Sequence, residues 1–203
     1  MKEYYVIGLM SGTSIDGVDL VYVNFKFDKI WKFQIINSKT YPYSESWTSN
    51  LKTISKKNLL EINKIDKDYT NLLSEYVIKF INEFSIKHIN FISSHGHTAL
   101  HDPKNSLTYQ IGNLPSISKK LGYKVICDFR VQDINLGGQG APLVPVGEEY
   151  LFSEYNSFIN LGGFANITKK IKNKIIAYDI CPINIVLNSL CNKIELEYDD
   201  NGD

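Results

Sequence analysis

Tyr4-Tyr5-Val6-Ile7-Gly8-Leu9-Met10 runs directly into Ser11-Gly12-Thr13-Ser14-Ile15-Asp16, and then into Gly17-Val18-Asp19-Leu20-Val21-Tyr22-Val23-Asn24-Phe25-Lys26-Phe27. The first apolar run is too short for a helix and reads as a buried strand entering a tight loop. The second alternates Val, Tyr and Phe with polar residues and reads as another strand. Asp28-Lys29 marks a turn, and Ile30–Tyr41 continues as a third. Three strands joined by short turns form an antiparallel meander.

The pattern then changes period. Ile62, Ile65, Tyr69, Leu72, Leu73, Tyr76, Phe80 and Phe84 recur at steps of three and four, which predicts one long helix over 59–84. Ile89–Ser93 follows as a strand and Leu107–Ile111 as a further short one. Ser116–Leu121 reads as a helix stopped by Gly122, and Lys124–Phe129 as a strand. A meander followed by strand–helix–strand alternation predicts an α/β chain, with a mixed sheet flanked by helices. Gly137–Gly140, followed by Ala-Pro-Leu-Val-Pro, interrupts that pattern and marks a hinge. Ser157–Leu161, Ala165–Lys170 and Ile175–Asp179 then read as a second meander, and Ile185–Leu196 as a helix.

Composition narrows the function classes. The 203 residues carry 22 basic and 22 acidic side chains, giving no net charge, with 43% hydrophobic residues. This is a globular composition without the basic footprint of a nucleic-acid binder. No segment approaches the roughly 20 apolar residues that cross a bilayer, and no signal peptide is apparent, so a cytoplasmic location without a membrane partner is expected. Cys127, Cys181 and Cys191 are odd in number and lack CxxC spacing, which suits a reducing compartment. Only one of the 22 basic residues, Arg130, is an arginine. A planar fork that grips a carboxylate or phosphate at two points is something lysine cannot supply, so Arg130 is a site candidate, with a chance surface arginine as the competing reading.

Five motifs carry candidate chemistry. Gly12, Thr13, Ser14, Asp16, Gly17 and Asp19 form a small-residue loop in which backbone N–H groups and hydroxyls can meet a phosphate, and carboxylates can reach magnesium through water; an ordinary hairpin turn competes. Ser94-His95-Gly96-His97-Thr98-Ala99-Leu100-His101-Asp102-Pro103 places three histidines beyond a strand's carboxyl end, where α/β sheets bind ligands. A histidine-bound metal is the alternative there, without the HExxH or cysteine spacing that would support it. Asp128-Phe129-Arg130, Asp133 and Gly137–Gly140 couple the arginine to two carboxylates, so a structural salt bridge competes with ligand binding. Asn160-Leu161-Gly162-Gly163-Phe164-Ala165-Asn166 resembles a second phosphate turn or a plain hairpin. Tyr178-Asp179-Ile180-Cys181-Pro182-Ile183-Asn184 ends a strand on a carboxylate before a helix, the position of a general base or of a simple cap.

In order along the chain, MSGTSIDGVD, SHGHTALHDP, QIGN (Gln110–Asn113), DFRVQDINLGGQGAPLVP, NLGGFANIT and YDICPIN resemble the anhydro-N-acetylmuramic acid kinase family, sugar kinases of the actin-like ATPase superfamily. The resemblance implies an actin-like ATPase (ribonuclease H-like) fold of two lobes, with residues 1–128 as the first and residues 129–203 as the start of an incomplete second. It also implies ATP and magnesium as cofactors and an amino sugar as substrate. Water would open the 1,6-anhydro ring of 1,6-anhydro-N-acetylmuramic acid and ATP would phosphorylate the freed oxygen, in peptidoglycan recycling. Asp179 matches the catalytic aspartate. Gly12, Thr13, Ser14, Asp16, Gly17, Asp19, Gly162, Gly163 and Asn166 match nucleotide-binding positions, and Thr98, Arg130 and Asn184 match sugar contacts. No protein metal ligand is assigned.

Five positions depart from the family's habit. Cys181 and Ile183 stand where glycines are usual, Val131 and Gln132 where basic residues often follow the arginine, and His97 where glutamine is commoner. Family members are nearly twice as long, so this chain is expected to stop within the second lobe and to be inactive alone. A homodimer is expected only of the longer protein, and a catalytically silent binding fragment is the alternative to the kinase.

Overall fold

The computed structural model describes residues 1–12, 14–172, 174–196, 198–200 and 202. Two compact units result, Met1–Ala141 and Pro142–Asp203.

The first unit is built on β1 (Lys2–Met10), β2 (Gly17–Asp28) and β3 (Ile30–Pro42). They form the expected antiparallel meander, with Met10 opposite Asp19 and Gly17 opposite Pro42. Lys29 turns the chain at a φ of 66°. Gly17 is fixed by this pairing, since a Cβ there would lie 2.6 Å from the Tyr41 carbonyl. β4 (Phe91–Ser94) then pairs parallel to β1, and β7 (Val125–Ile126) parallel to β4. The five-stranded mixed sheet runs β3-β2-β1-β4-β7. β5 (His97–Asp102) and β6 (Leu107–Ile111) form a separate hairpin.

Helix α1 (Glu45–Thr53) leads to α2 (Leu59–Glu83). α2 starts on a reciprocal capping box between Asn58 and Glu61. It stops where Ser85 takes a left-handed φ of 51° and Ile86 N–H bonds back to the Ile81 carbonyl. Its expected apolar stripe is the core: Ile62, Tyr69, Leu73, Val77 and Phe80 pack with Ile7, Leu9, Val18 and Leu20 of the sheet. Truncating a fully buried phenylalanine such as Phe80 costs about 3–5 kcal/mol. The same helix buries Asp66, Thr70 and Ser74. α3 (Ser116–Leu121) ends on Gly122 at φ 70°.

The stretch after β7 departs from expectation. The strand predicted over 124–129 is only two residues long, because Asp128 adopts φ 60° and starts α4 (Phe129–Asn135).

The second unit contains α5 (Val144–Leu151) and a three-stranded antiparallel sheet, β10-β9-β8. Its strands are β8 (Ser157–Leu161), β9 (Phe164–Ile171) and β10 (Lys174–Pro182). Asp179 pairs with Asn166 and Cys181 with Ala165, so the register shifts at a bulge between them. α6 (Asn184–Cys191) follows. No helix among the described residues is long and apolar enough to cross a membrane.

Candidate functional site

The parallel strands β1, β4 and β7 end side by side, and the residues just past them converge. Past β1, Ser11 is buried and Gly12 half-buried, while Ser14 and Asp16 are exposed. The Ile15 N–H closes on the Gly12 carbonyl at 3.3 Å, and Ile15 itself takes φ 58°. Ser14 donates its hydroxyl to Asp16 at 3.0 Å. Asp19 is turned to β3, accepting from Thr40 Oγ1 at 2.5 Å. Thr13 lies outside the described residues.

Ser11 anchors this loop in a closed ring of hydroxyls. Its Oγ lies 2.7 Å from Tyr43 OH and accepts from Tyr69 OH at 2.8 Å, while the two tyrosine oxygens are 2.5 Å apart. His97 Nδ1 joins at 3.0 Å from Ser11 Oγ. Four contacts need four protons, and three hydroxyls supply three. A proton on His97 Nδ1 completes the set: His97 donates to Ser11, Ser11 to Tyr43, Tyr43 to Tyr69, and Tyr69 to Ser11. Burial, with His95 nearby, pushes His97 down to about 4, so this is the neutral Nδ1–H tautomer at pH 7. Burial also raises Tyr43, and raises Tyr69 well above the ordinary tyrosine value.

Past β4, His95 is tied to β1 by its N–H on the Leu9 carbonyl at 3.1 Å. Its ring spans two partners: Nδ1 lies 2.8 Å from the Gly96 carbonyl, and Nε2 accepts from Arg130 Nε at 2.8 Å. A carbonyl only accepts and a guanidinium only donates, so His95 is also the neutral Nδ1–H form. Burial lowers its proton affinity and the Arg130 charge adds to that, against the bond to Gly96.

Past β7, Arg130 sits half-buried on the first turn of α4. Its second bond runs from a terminal nitrogen to the Gly140 carbonyl at 2.7 Å. Neither flanking carboxylate pairs with it. Asp128 accepts from Asn113 at 3.2 Å, and Asp133 accepts the Gly140 N–H at 2.6 Å. Among the described residues the ion pairs are Lys26–Glu3 and Lys39–Glu83. The salt-bridge reading of Arg130 therefore has no support in the first unit. Gly138 packs directly over the Asp133 carboxylate, where a Cβ would collide.

The QIGN segment holds these pieces together. Asn113 accepts from Ser94 Oγ at 2.9 Å and donates to the His95 carbonyl at 3.3 Å and to Asp128. Thr98 is half-buried on β5 opposite Gln110, whose Oε1 is buried without a partner among the described residues. The three histidines are dispersed to separate partners, His101 bonding Thr108 at 3.2 Å. Among the described residues no three His, Cys, Asp or Glu side chains gather to hold a metal.

In the second unit, Gly162 and Gly163 form the β8–β9 turn and Asn166 lies on β9 directly opposite Asp179. Residues opposite each other on neighbouring strands share a face, so the two side chains are adjacent. The Gly163 carbonyl takes the N–H of Ile183 at 2.9 Å, and Asn184 Nδ2 reaches the Leu161 carbonyl at 3.3 Å. The glycine turn and the start of α6 are thus one assembly. Neither Cys181 nor Ile183 has positive φ, so neither position demands the glycine usual there.

Sequence reasoning did not single out Tyr43, Tyr69 or Asp66. They stand in an apolar helical stripe or a polar run, and only the fold shows what they hold.

The mixed sheet, with its loops past the parallel strand ends, has the actin-like ATPase type of fold used by sugar kinases. The family model for anhydro-N-acetylmuramic acid kinase matches residues 4–203, and the chain belongs to that family. The anhydro-N-acetylmuramic acid kinase of Haemophilus influenzae is 37% identical over 215 residues, covering all of this chain and 55% of that protein. Those of Sulfurimonas denitrificans and Shewanella loihica are 35% and 37% identical, with all of this chain aligned to 56% and 58% of their lengths. The chain spans about half the length of the curated relatives it matches.

Proposed function

We propose that the chain is the first part of a bacterial, cytoplasmic, ATP-dependent kinase acting on 1,6-anhydro-N-acetylmuramic acid, yielding N-acetylmuramic acid 6-phosphate in peptidoglycan recycling. The observation that carries this reading is the family match over residues 4–203. Residues 1–128 are assigned to the first lobe and residues 129–203 to the start of the second.

Asp179 takes a proton from the water that attacks the anomeric carbon. The bond from that carbon to the bridging oxygen breaks, its electron pair stays on the oxygen, and that oxygen accepts the γ-phosphoryl group as ADP leaves. Asn166, beside Asp179, and Gly162–Gly163 face phosphate oxygens. Gly12, Thr13, Ser14, Asp16, Gly17 and Asp19 form the first unit's nucleotide loop. The exposed Asp16 carboxylate and Ser14 hydroxyl are hard oxygen donors of the kind magnesium prefers. Magnesium, when bound, neutralises phosphate charge. Thr98, Arg130 and Asn184 orient the sugar, and Arg130 meets its carboxylate. The half-buried guanidinium, without an ionic partner among the described residues, supports that last assignment.

ATP-dependent phosphorylation of the anhydro sugar, followed in a protein of the relatives' full length, tests the reading. Turnover that Asp179→Asn abolishes is expected; turnover unaffected by Asp179→Asn overturns it. A silent binding fragment is the second reading, favoured by the half-length match. Calorimetry of the 203-residue chain with ATP and with the sugar separates it, since binding without turnover is its signature.

A further inference from the structure

We propose that His95 is the positioning residue of Arg130: its Nε2 lone pair aims the guanidinium at a carboxylate ligand without neutralising it. The inference rests on the reading that Arg130 meets the sugar's carboxylate.

A guanidinium has five N–H donors. Among the described residues, one goes to His95 and one to the Gly140 carbonyl. Both acceptors are neutral, so the positive charge remains available, and three N–H groups remain on the two terminal nitrogens. Asp128 and Asp133 stand within three residues of Arg130 in the chain, yet each is engaged by another donor. A carboxylate in the place of His95 would hold the same nitrogen more tightly and cancel the charge. A neutral acceptor provides direction alone.

His95 is itself rigidly held. Its N–H is on Leu9, its carbonyl on Asn113, and its Nδ1–H on Gly96. Gly96 makes this possible at φ 69°, where a Cβ would lie 2.5 Å from the Ile111 carbonyl. The imidazole is therefore a fixed reference, and Arg130 inherits its direction from β4. Such preorganisation matters because arginine otherwise surrenders rotamer freedom on binding.

Arg130 is the only arginine, so its Nε–H resonance and its reaction with phenylglyoxal are unambiguous in the 203-residue chain. Two readouts test the proposal: solvent exchange of Nε–H without ligand, and protection of Arg130 from phenylglyoxal by the anhydro sugar compared with its carboxyl methyl ester. His95→Ala should speed exchange by about tenfold or more and lose most of the acid-specific protection. His95→Asn, a neutral acceptor, should restore part of both. His95→Glu should keep slow exchange and lose protection, an outcome that a merely structural role for His95 does not produce. Matching melting curves show that each variant is folded. Unchanged exchange in His95→Ala, or wild-type protection in His95→Glu, overturns the role of His95. Equal protection of the wild type by acid and ester overturns the Arg130–carboxylate contact, and the proposal with it.

Discussion

Gly112 presents its backbone N–H to the buried carboxylate of Asp66 at 2.7 Å, across 46 residues of chain. The second oxygen of Asp66 accepts Tyr109 OH at 2.6 Å, and the first also takes Thr70 Oγ1 at 3.2 Å. The middle of α2 thus holds the start of the QIGN turn, whose next residue, Asn113, bonds Ser94, His95 and Asp128. A carboxylate far from the site in sequence sets the place of the loop that organises it.

Asp66→Ala should destabilise the protein by about 3 kcal/mol, because it strands a buried N–H and a buried hydroxyl. Asp66→Asn keeps an acceptor for Gly112 and can offer its amide to Tyr109, so it should cost about 1 kcal/mol. Urea melts of the three proteins check the order. Equal stability of wild type and Asp66→Ala would show that the contact holds nothing.

Stability should depend on pH through His97. Its folded value lies at about 4, below the ordinary histidine value. Between about pH 6.5 and 4 the unfolded chain therefore binds more protons than the folded one, and stability falls as pH falls. At full extent the loss is about 3 kcal/mol, complete near pH 4. Above pH 6.5 both forms are neutral and the effect vanishes. Denaturation from pH 7.5 to 4 should show a slope that His97→Gln makes clearly shallower, the remainder including His95, whose proton affinity is also lowered by burial.

The hydroxyl ring should behave as a unit. Tyr69→Phe deletes a donor to Ser11 and an acceptor for Tyr43 at a fully buried site, for about 1–3 kcal/mol. Tyr43→Phe should cost less, because Tyr43 is only half-buried and water can replace it. The double variant should cost less than the sum of the singles. Strict additivity in a double-mutant cycle would contradict a shared network.

Three glycines should separate by environment. Gly96→Ala meets both strain and collision, at φ 69° and 2.5 Å from the Ile111 carbonyl, and should cost several kcal/mol or prevent folding. Gly122→Ala has φ 70° but open space, and should cost about 1 kcal/mol. Gly147→Ala lies inside α5 with nothing near its Cβ, and should stabilise by about 0.5–1 kcal/mol. Thermal melts rank them, and a harmless Gly96→Ala would refute the steric account.

Much of the fold was legible because burial imposes a period. The three-strand meanders in both units and the stripe of α2 follow from alternation or from three- and four-residue steps. α1 was not legible: Ser44-Glu45-Ser46-Trp47-Thr48 reads as a polar loop, and its buried residue is Leu51 alone. β5 was hidden by its histidines, which suggest a binding loop, and α4 by the apolar run before it, which resembles a longer strand. Arg130 stood out by composition, and His95 by its place past a strand. Their mutual bond was not legible, because it depends on how β4 and α4 meet in space.

The bulge in β10 separates two neighbours that a regular strand would keep together. Residues two apart normally project to the same side of a sheet. Asp179 pairs with Asn166 but Cys181 pairs with Ala165, and those two partners point opposite ways. Asp179 and Cys181 therefore lie on opposite sides. The thiol that stands in for a family glycine is exposed on the reverse of the sheet from the carboxylate. It offers an attachment point for a fluorophore or spin label, close enough to sense the strand and separated by the backbone from the Asp179 side chain.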